Sequence, residues 1–426
     1  MSPSVPRRRL WPALCLAFLT GPAGAADLGA SLESLLDHAR AQSPELAAMR
    51  AEAEAAAQRV QPAGALPDPM LRVELENLTS RNNGGLGERP GPLPWKVGEI
   101  KYTLLQSLPA WGKRGLRQEV AAADVAQAQA RSAVAWTELA AKIKTGYAQY
   151  YQAAANERLT LEVVDLMARL EQLAQARYAG GLVAQQDAIR AQLEQTAMRA
   201  ELIALDNDKR MLRARLNALL AREPAAPLAE PEAMRPLPEV SVRDAMALAE
   251  RARAANPALK AEAARLQGAE RNRELVRRNR WPDVAVGISP TQMGGRVMAW
   301  GLMVEMNIPL QQESRRAQER EADAMAGAAR ARSQALASEL LGELGENLSA
   351  IDAARRSEAL ITSQLLPQSE LSLSSALAAY ENGKVDFATL LDAQRQIRKA
   401  RQDRLKLQVE AQMRLAEIER LVGEAL

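Results

Sequence analysis

Leu71-Arg72-Val73-Glu74-Leu75-Glu76 alternates strictly between apolar and charged residues. Successive side chains of an extended strand point to opposite faces, so this stretch carries one oily face and one ionic face. Glu99-Ile100-Lys101-Tyr102-Thr103-Leu104 repeats the pattern after a segment, 81–94, whose Gly, Asn and Pro suit a hairpin connection. Further on, Val284, Val286 and Ile288 alternate with small residues. Beyond a Gly294-Gly295 turn, Met298, Trp300, Leu302, Val304 and Met306 share a face opposite Ala299, Gly301, Glu305 and Asn307. The strands are expected at about 70–107 and 283–308. Four strands cannot close on themselves, and in a bilayer their two open edges would leave backbone groups without water. Three copies would supply twelve strands and close a transmembrane barrel, apolar side chains toward lipid and charges toward a wet lumen. The same alternation also suits a soluble hairpin laid on helices.

Around these strands the chain is written twice. Ser43-Pro44-Glu45-Leu46 aligns with Asn256-Pro257-Ala258-Leu259, Pro67-Asp68 with Pro282-Asp283, and Leu108-Pro109 with Ile308-Pro309. Tyr178-Ala179-Gly180-Gly181-Leu182-Val183 aligns with Tyr380-Glu381-Asn382-Gly383-Lys384-Val385, and Gln192 with Gln394. A spacing of about 200 residues marks a duplicated half rather than a solenoid unit. Each half runs helix, strand pair, long helix, glycine turn, helix. Helices are expected over 30–61 and 241–280, broken early by Pro44 and Pro257, then over 113–179 and 311–379, and after the glycine turns over 184–222 and 385–422. A helix over 113–179 would reach about 100 Å and must lie against neighbours; Leu159, Val163, Leu166, Leu170 and Leu173 give it a coiled-coil seam. The fold class is therefore mainly α with a small transmembrane β part. Its segments are 1–25, 26–222 as the first repeat, 223–240 as a proline-rich linker and 241–426 as the second repeat.

The first segment reads as an export signal: Arg7, Arg8 and Arg9, a short apolar run from Leu10 to Thr20, then Ala23-Gly24-Ala25. The run is too short to span a bilayer. It holds the only cysteine, Cys15, which follows Leu14 rather than the small residue that lipidation requires. Without it, the 55 basic and 52 acidic residues lose three arginines and balance, so charge gives no reason to expect nucleic acid. Only two phenylalanines occur, and a core rich in Ala and Leu suits long helices packed side by side.

Taken together, the duplicated order resembles the TolC family of outer-membrane factors over essentially the whole mature chain, most specifically at the two glycine turns. Leu66-Pro67-Asp68-Pro69-Met70 followed by Val73-Glu74-Leu75-Glu76-Asn77-Leu78, and Leu108-Pro109 followed by Gly112-Lys113-Arg114, are more similar to its heavy-metal efflux branch. The resemblance implies a homotrimer with a twelve-stranded barrel in outer-membrane lipid and an α-helical tunnel through the periplasm. It would serve as the passive exit duct of a tripartite efflux system. The tips Gly181, Leu182, Val183, Ala184, Gly383, Lys384 and Val385 would meet a periplasmic adaptor, and through it an inner-membrane pump of the RND type. It further implies a channel gate at Asp392, Asp187 and Tyr380. Thr389 stands where a second acid is sometimes found, and Val385 replaces an arginine of the family's closing contacts, which leaves that lock incomplete. Three Asp392 carboxylates on a narrow axis would repel one another and attract cations. The plainer reading makes Asp392 and Asp187 solvated helix charges.

Catalytic and metal chemistry find no support. One histidine, His38, and no thiol cannot assemble the usual transition-metal site. Met293, Met298, Met303 and Met306 are soft donors, but Met298 and Met306 belong to the lipid-facing pattern. Neither a phosphate loop nor a zinc-protease motif is present, so no catalytic residue, metal or cofactor is expected. Drug efflux or type I protein secretion would use the same architecture, and a periplasmic coiled-coil scaffold or adaptor would share its helices.

Overall fold

The computed structural model describes residues 28–76, 99–181, 183–239, 244–293 and 296–426. The expected signal, the 81–94 connection, Leu182 and the Gly294-Gly295 turn lie outside them. The first half contains α1 (Leu32–Gln42), α2 (Pro44–Gly64), β1 (Met70–Glu76), β2 (Glu99–Leu108), α3 (Lys113–Ala179) and α4 (Gln185–Leu219). The second contains α5 (Ala245–Ala255), α6 (Pro257–Arg278), β3 (Val284–Met293), β4 (Arg296–Met306), α7 (Gln312–Leu360), α8 (Leu366–Glu381) and α9 (Phe387–Val422). No described helix is long and apolar enough to cross a membrane.

The duplication is visible in the caps. Ser43 Oγ accepts from the Leu46 N–H at 3.4 Å, and Asn256 Oδ1 accepts from the Leu259 N–H at 3.0 Å. Each cap is followed by proline in the first helical turn, where a missing N–H removes no helical bond. At the far ends of α2 and α6, Arg114 Nε donates to the Gly64 carbonyl and an Arg315 guanidinium N–H to that of Asn279.

The four strands form one antiparallel sheet in the order β1-β2-β3-β4, joined between the halves at β2–β3. Leu71, Leu104, Ile288 and Leu302 lie in one row across it, and Leu108, Val284 and Met306 in another. That face is exposed and apolar through Val73, Trp300 and Val304 as well. The reverse face pairs Glu74 with Lys101, Arg72 with Thr103, and Ser289 with Gly301. Met303 stands on this reverse face, opposite to Met306, while Met298 sits at a register shift beside Thr291 and Gln292 and pairs with no residue of β3. Among the described residues, β1 and β4 are unpaired on their outer sides.

α3 is a single helix of 67 residues, as the sequence leads one to expect. Its counterpart is not uniform. Between α7 and α8, Ile361–Leu365 form a π-helical turn in which the Leu366 N–H donates to the Ile361 carbonyl. Pro367 explains it: proline offers no N–H and its ring crowds the carbonyl four residues back, so the helix widens by one residue instead of breaking.

The proline-rich stretch holds neither helix nor strand over its described residues, yet it is tied down. The Ala229 N–H donates to the Leu28 carbonyl at 2.9 Å, and Tyr147 Oη donates to the carbonyls of Ala30 and Ala233. At its centre, Arg235 grips Glu419 of α9 with two bonds of 2.8 and 2.7 Å. Lys144 of α3 reaches the same carboxylate at 2.8 Å, and the Leu426 N–H donates to it at 3.0 Å. One carboxylate, 3% exposed, thus binds the first half, the linker and the second half together.

Burial alone would push the Glu419 carboxyl up, but the bonds from Arg235, Lys144 and the Leu426 N–H outweigh it and hold the group below its ordinary 4.5. Stability drawn from it is full above pH 4.5 and is lost as pH falls through the depressed value. Glu419→Gln, which strands two cations, should therefore cost about 3 kcal/mol at neutral pH. Thermal melting of the two proteins from pH 7 to 3 should show wild type losing more of its midpoint than the variant, and parallel curves would refute this role.

Candidate functional site

The two glycine turns are built alike. α3 ends with the Gly180 N–H bonded to the Ala176 carbonyl, and α8 with the Asn382 N–H bonded to that of Ala378. The next residue is Gly181 or Gly383, at φ of +70° and +71°, a left-handed conformation that a side chain would strain. α9 then starts on Asp386, whose Oδ1 accepts from the Thr389 N–H at 3.0 Å and from Thr389 Oγ1 at 2.6 Å. Those bonds hold the Asp386 carboxyl below the usual range. Thr389, at the position where the resemblance sometimes has an acid, is thus a capping partner.

Between the turns lies an apolar core of Val163, Met167 and Leu170 from α3, Met198 from α4, and Phe387 and Leu390 from α9. Tyr380 closes it at 1% exposure, its ring edge-on to Phe387 at 5.6 Å. Its hydroxyl donates to Asp187 Oδ2 at 3.4 Å. Arg177, in the last turn of α3, lies over the ring at 5.1 Å from its centre and donates to the Tyr380 carbonyl. Burial, with the Asp187 charge behind it, pushes the Tyr380 hydroxyl up to about 12 against the opposing pull of Arg177.

Asp187 and Tyr380 are therefore brought together, and the guanidinium beside them is Arg177. Val385, where the resemblance calls for arginine, packs against the tip core. Arg177 escapes a reading by sequence because its partners arrive from the other half; its place in the last turn before Gly180 was the available signal. Asp392 stands apart, exposed on α9, with no hydrogen bond or ion pair among the described residues. Its charge is felt by Arg395, which grips Glu194 of α4 at 2.7 Å. Of the expected adaptor-contacting tips, Gly181, Ala184, Gly383 and Lys384 are exposed, Val183 and Val385 are half-buried, and Leu182 is outside the described residues. No cluster of His, Cys, Asp or Glu among the described residues could hold a metal ion.

A family model described as outer membrane efflux protein matches residues 35–222 and 248–424. The nickel and cobalt resistance protein CnrC of Cupriavidus metallidurans is 32% identical over 144 residues, covering 34% of this chain and 32% of that protein. The aligned region thus spans about a third of that relative's length. Among solved structures, the outer membrane protein VceC of Vibrio cholerae superposes with a TM-score of 0.78 at 20% identity, over 92% of this chain and 96% of that one. CusC superposes with a TM-score of 0.76 at 15% identity, over 92% of each chain. At these identities the likeness is one of fold.

Tyr380→Phe removes the hydroxyl bond and leaves the ring in place, so it should lower stability by about 1 kcal/mol. Combined with Asp187→Asn, it should cost less than the sum of the two changes. A raised tyrosine pKa contributes stability that is complete below 10.0 and is lost as pH rises toward about 12, so alkaline melting should be shallower in Tyr380→Phe. Additive single effects together with an unchanged alkaline slope would show that hydroxyl and carboxylate do not act as a unit.

Proposed function

The chain belongs to the outer membrane efflux protein family, and from that premise we propose that three copies form the passive outer-membrane duct of a tripartite efflux system. The observation that carries this reading is the four-stranded sheet with one exposed apolar face and two unpaired edges. Hydrocarbon accepts the face but not the edges, and pairing β1 of each copy with β4 of the next removes both. A head-to-tail contact of this kind closes into a ring.

The helical edges support the same ring. Exposed Ile189, Leu193 and Ile203 lie on α4, while Leu360 and Leu371 lie on the α7–α8 rod. A neighbouring copy would cover both rows. The glycine tips then form the periplasmic end, where a periplasmic adaptor docks and an inner-membrane pump of the RND type delivers substrate through it. Heavy-metal cations are the substrate class favoured by the likeness to a nickel and cobalt resistance protein. An exposed, unpaired Asp392 repeated around a narrow axis suits cations, since fixed carboxylates lower the energy of a cation in a constriction. Asp187, Tyr380 and Arg177 hold each tip closed within one copy.

In planar bilayers the purified protein should conduct with a preference for cations, and Asp392→Ala should reduce that preference at least severalfold while the barrel still inserts. Unchanged ion selectivity in Asp392→Ala would remove Asp392 from the gate. A wild-type protein that never conducts would remove the duct itself.

A further inference from the structure

Where the sheet meets the helices, two tryptophans stand in water. Trp111, in the turn between β2 and α3, is 93% exposed, and Trp281, between α6 and β3, is 65% exposed. They flank neighbouring strand ends, since Leu108 pairs with Val284. Both lie just beyond the last rung of the sheet. Ile308 and Leu310, also exposed, follow the end of β4.

Beside the tryptophans the chain turns strongly basic. Residues 271–281 hold five arginines against one glutamate, an excess that favours an anion over a zwitterion. Arg277 pairs with Asp323 at 2.9 Å and Arg280 with Glu319 at 2.6 Å. Arg278 differs: it has no carboxylate partner among the described residues. One of its N–H groups donates to the Trp111 carbonyl at 3.2 Å, which ties the two tryptophan turns together. Its other donors have no partner among the described residues. Arg277, Arg278, Arg280 and Trp281, with Glu274, line an open cleft of about 530 Å³.

Tryptophan settles at the headgroup level of a bilayer, with its apolar body toward the chains and its N–H toward water. A guanidinium with free donors matches a phosphate. We propose that this cleft binds an anionic phospholipid of the periplasmic leaflet, with Arg278 on the phosphate and Trp281 and Trp111 against the glycerol and upper acyl carbons. A free phosphate would leave the tryptophans without a role. The assignment rests on the sheet lying in the outer membrane, which puts its helix-side rim at that leaflet.

The test is native mass spectrometry of the purified assembly after exposure to equal amounts of dioleoyl phosphatidylglycerol and dioleoyl phosphatidylcholine. The wild type should retain phosphatidylglycerol preferentially. Arg278→Gln should lower that preference about fivefold, whereas Arg210→Gln, on the distant α4, should not change it. Millimolar inorganic phosphate should not displace the lipid. Equal retention of both lipids by the wild type, an unaltered preference in Arg278→Gln, or displacement by phosphate would each overturn the site. Bilayer conductance of the same samples separates the two readings: a conducting protein without lipid preference loses only this site, and a lipid-selective protein that never conducts loses only the duct.

Discussion

An unpaired strand edge in hydrocarbon strands a row of N–H and carbonyl groups, each costing several kcal/mol, and this constraint governs the whole molecule. The sheet has an apolar face suited to lipid and edges that lipid would punish. Other copies of the same chain can relieve it. In the proposed trimer, closing the ring would bring the long helices alongside those of neighbours and cover their exposed leucine and isoleucine rows. Within one copy the 67 residues of α3, a rod of about 100 Å, already bury a row of side chains from Leu116 to Ala174 against the other helices.

Inside one copy, the two halves must keep register over this length. Glu419 supplies the tie near the middle, collecting Lys144 from the first half and Arg235 from the linker. Lys113 supplies another at the sheet, buried and donating to Asp283 and the Trp281 carbonyl, each at less than 3 Å (2.8 and 2.9 Å). At the tips, Tyr380 receives Arg177 and reaches Asp187. All three join residues that are far apart in sequence, so the duplicated halves form one mechanical unit.

The division between what the sequence discloses and what it conceals follows from the range of the physics. Alternation along β1 and β4, the capped prolines after Ser43 and Asn256, and the glycines at positive φ are local, and each is legible residue by residue. The π turn before Pro367 is half legible: the proline is in view, but whether a helix bends, breaks or widens there depends on what packs around it. Glu419 reads as one more acid on a charged helix until Lys144 and Arg235 arrive from elsewhere. Arg177 is concealed for the same reason, and Asp392 is singled out by family resemblance alone; it stands exposed, with no hydrogen bond or ion pair among the described residues.

The duplication also sets the register in which copies should meet. Within one copy Leu104 of β2 faces Ile288 of β3; carried through the repeat, Val304 of β4 should face Val73 of β1 in the next copy. Cysteines at Val73 and Val304 in the same chain therefore provide the most direct test of ring closure. Mild oxidation of the membrane-inserted protein should yield a covalent trimer on non-reducing gels, absent in either single variant. A folded, inserted protein that stays monomeric under oxidation would contradict the account.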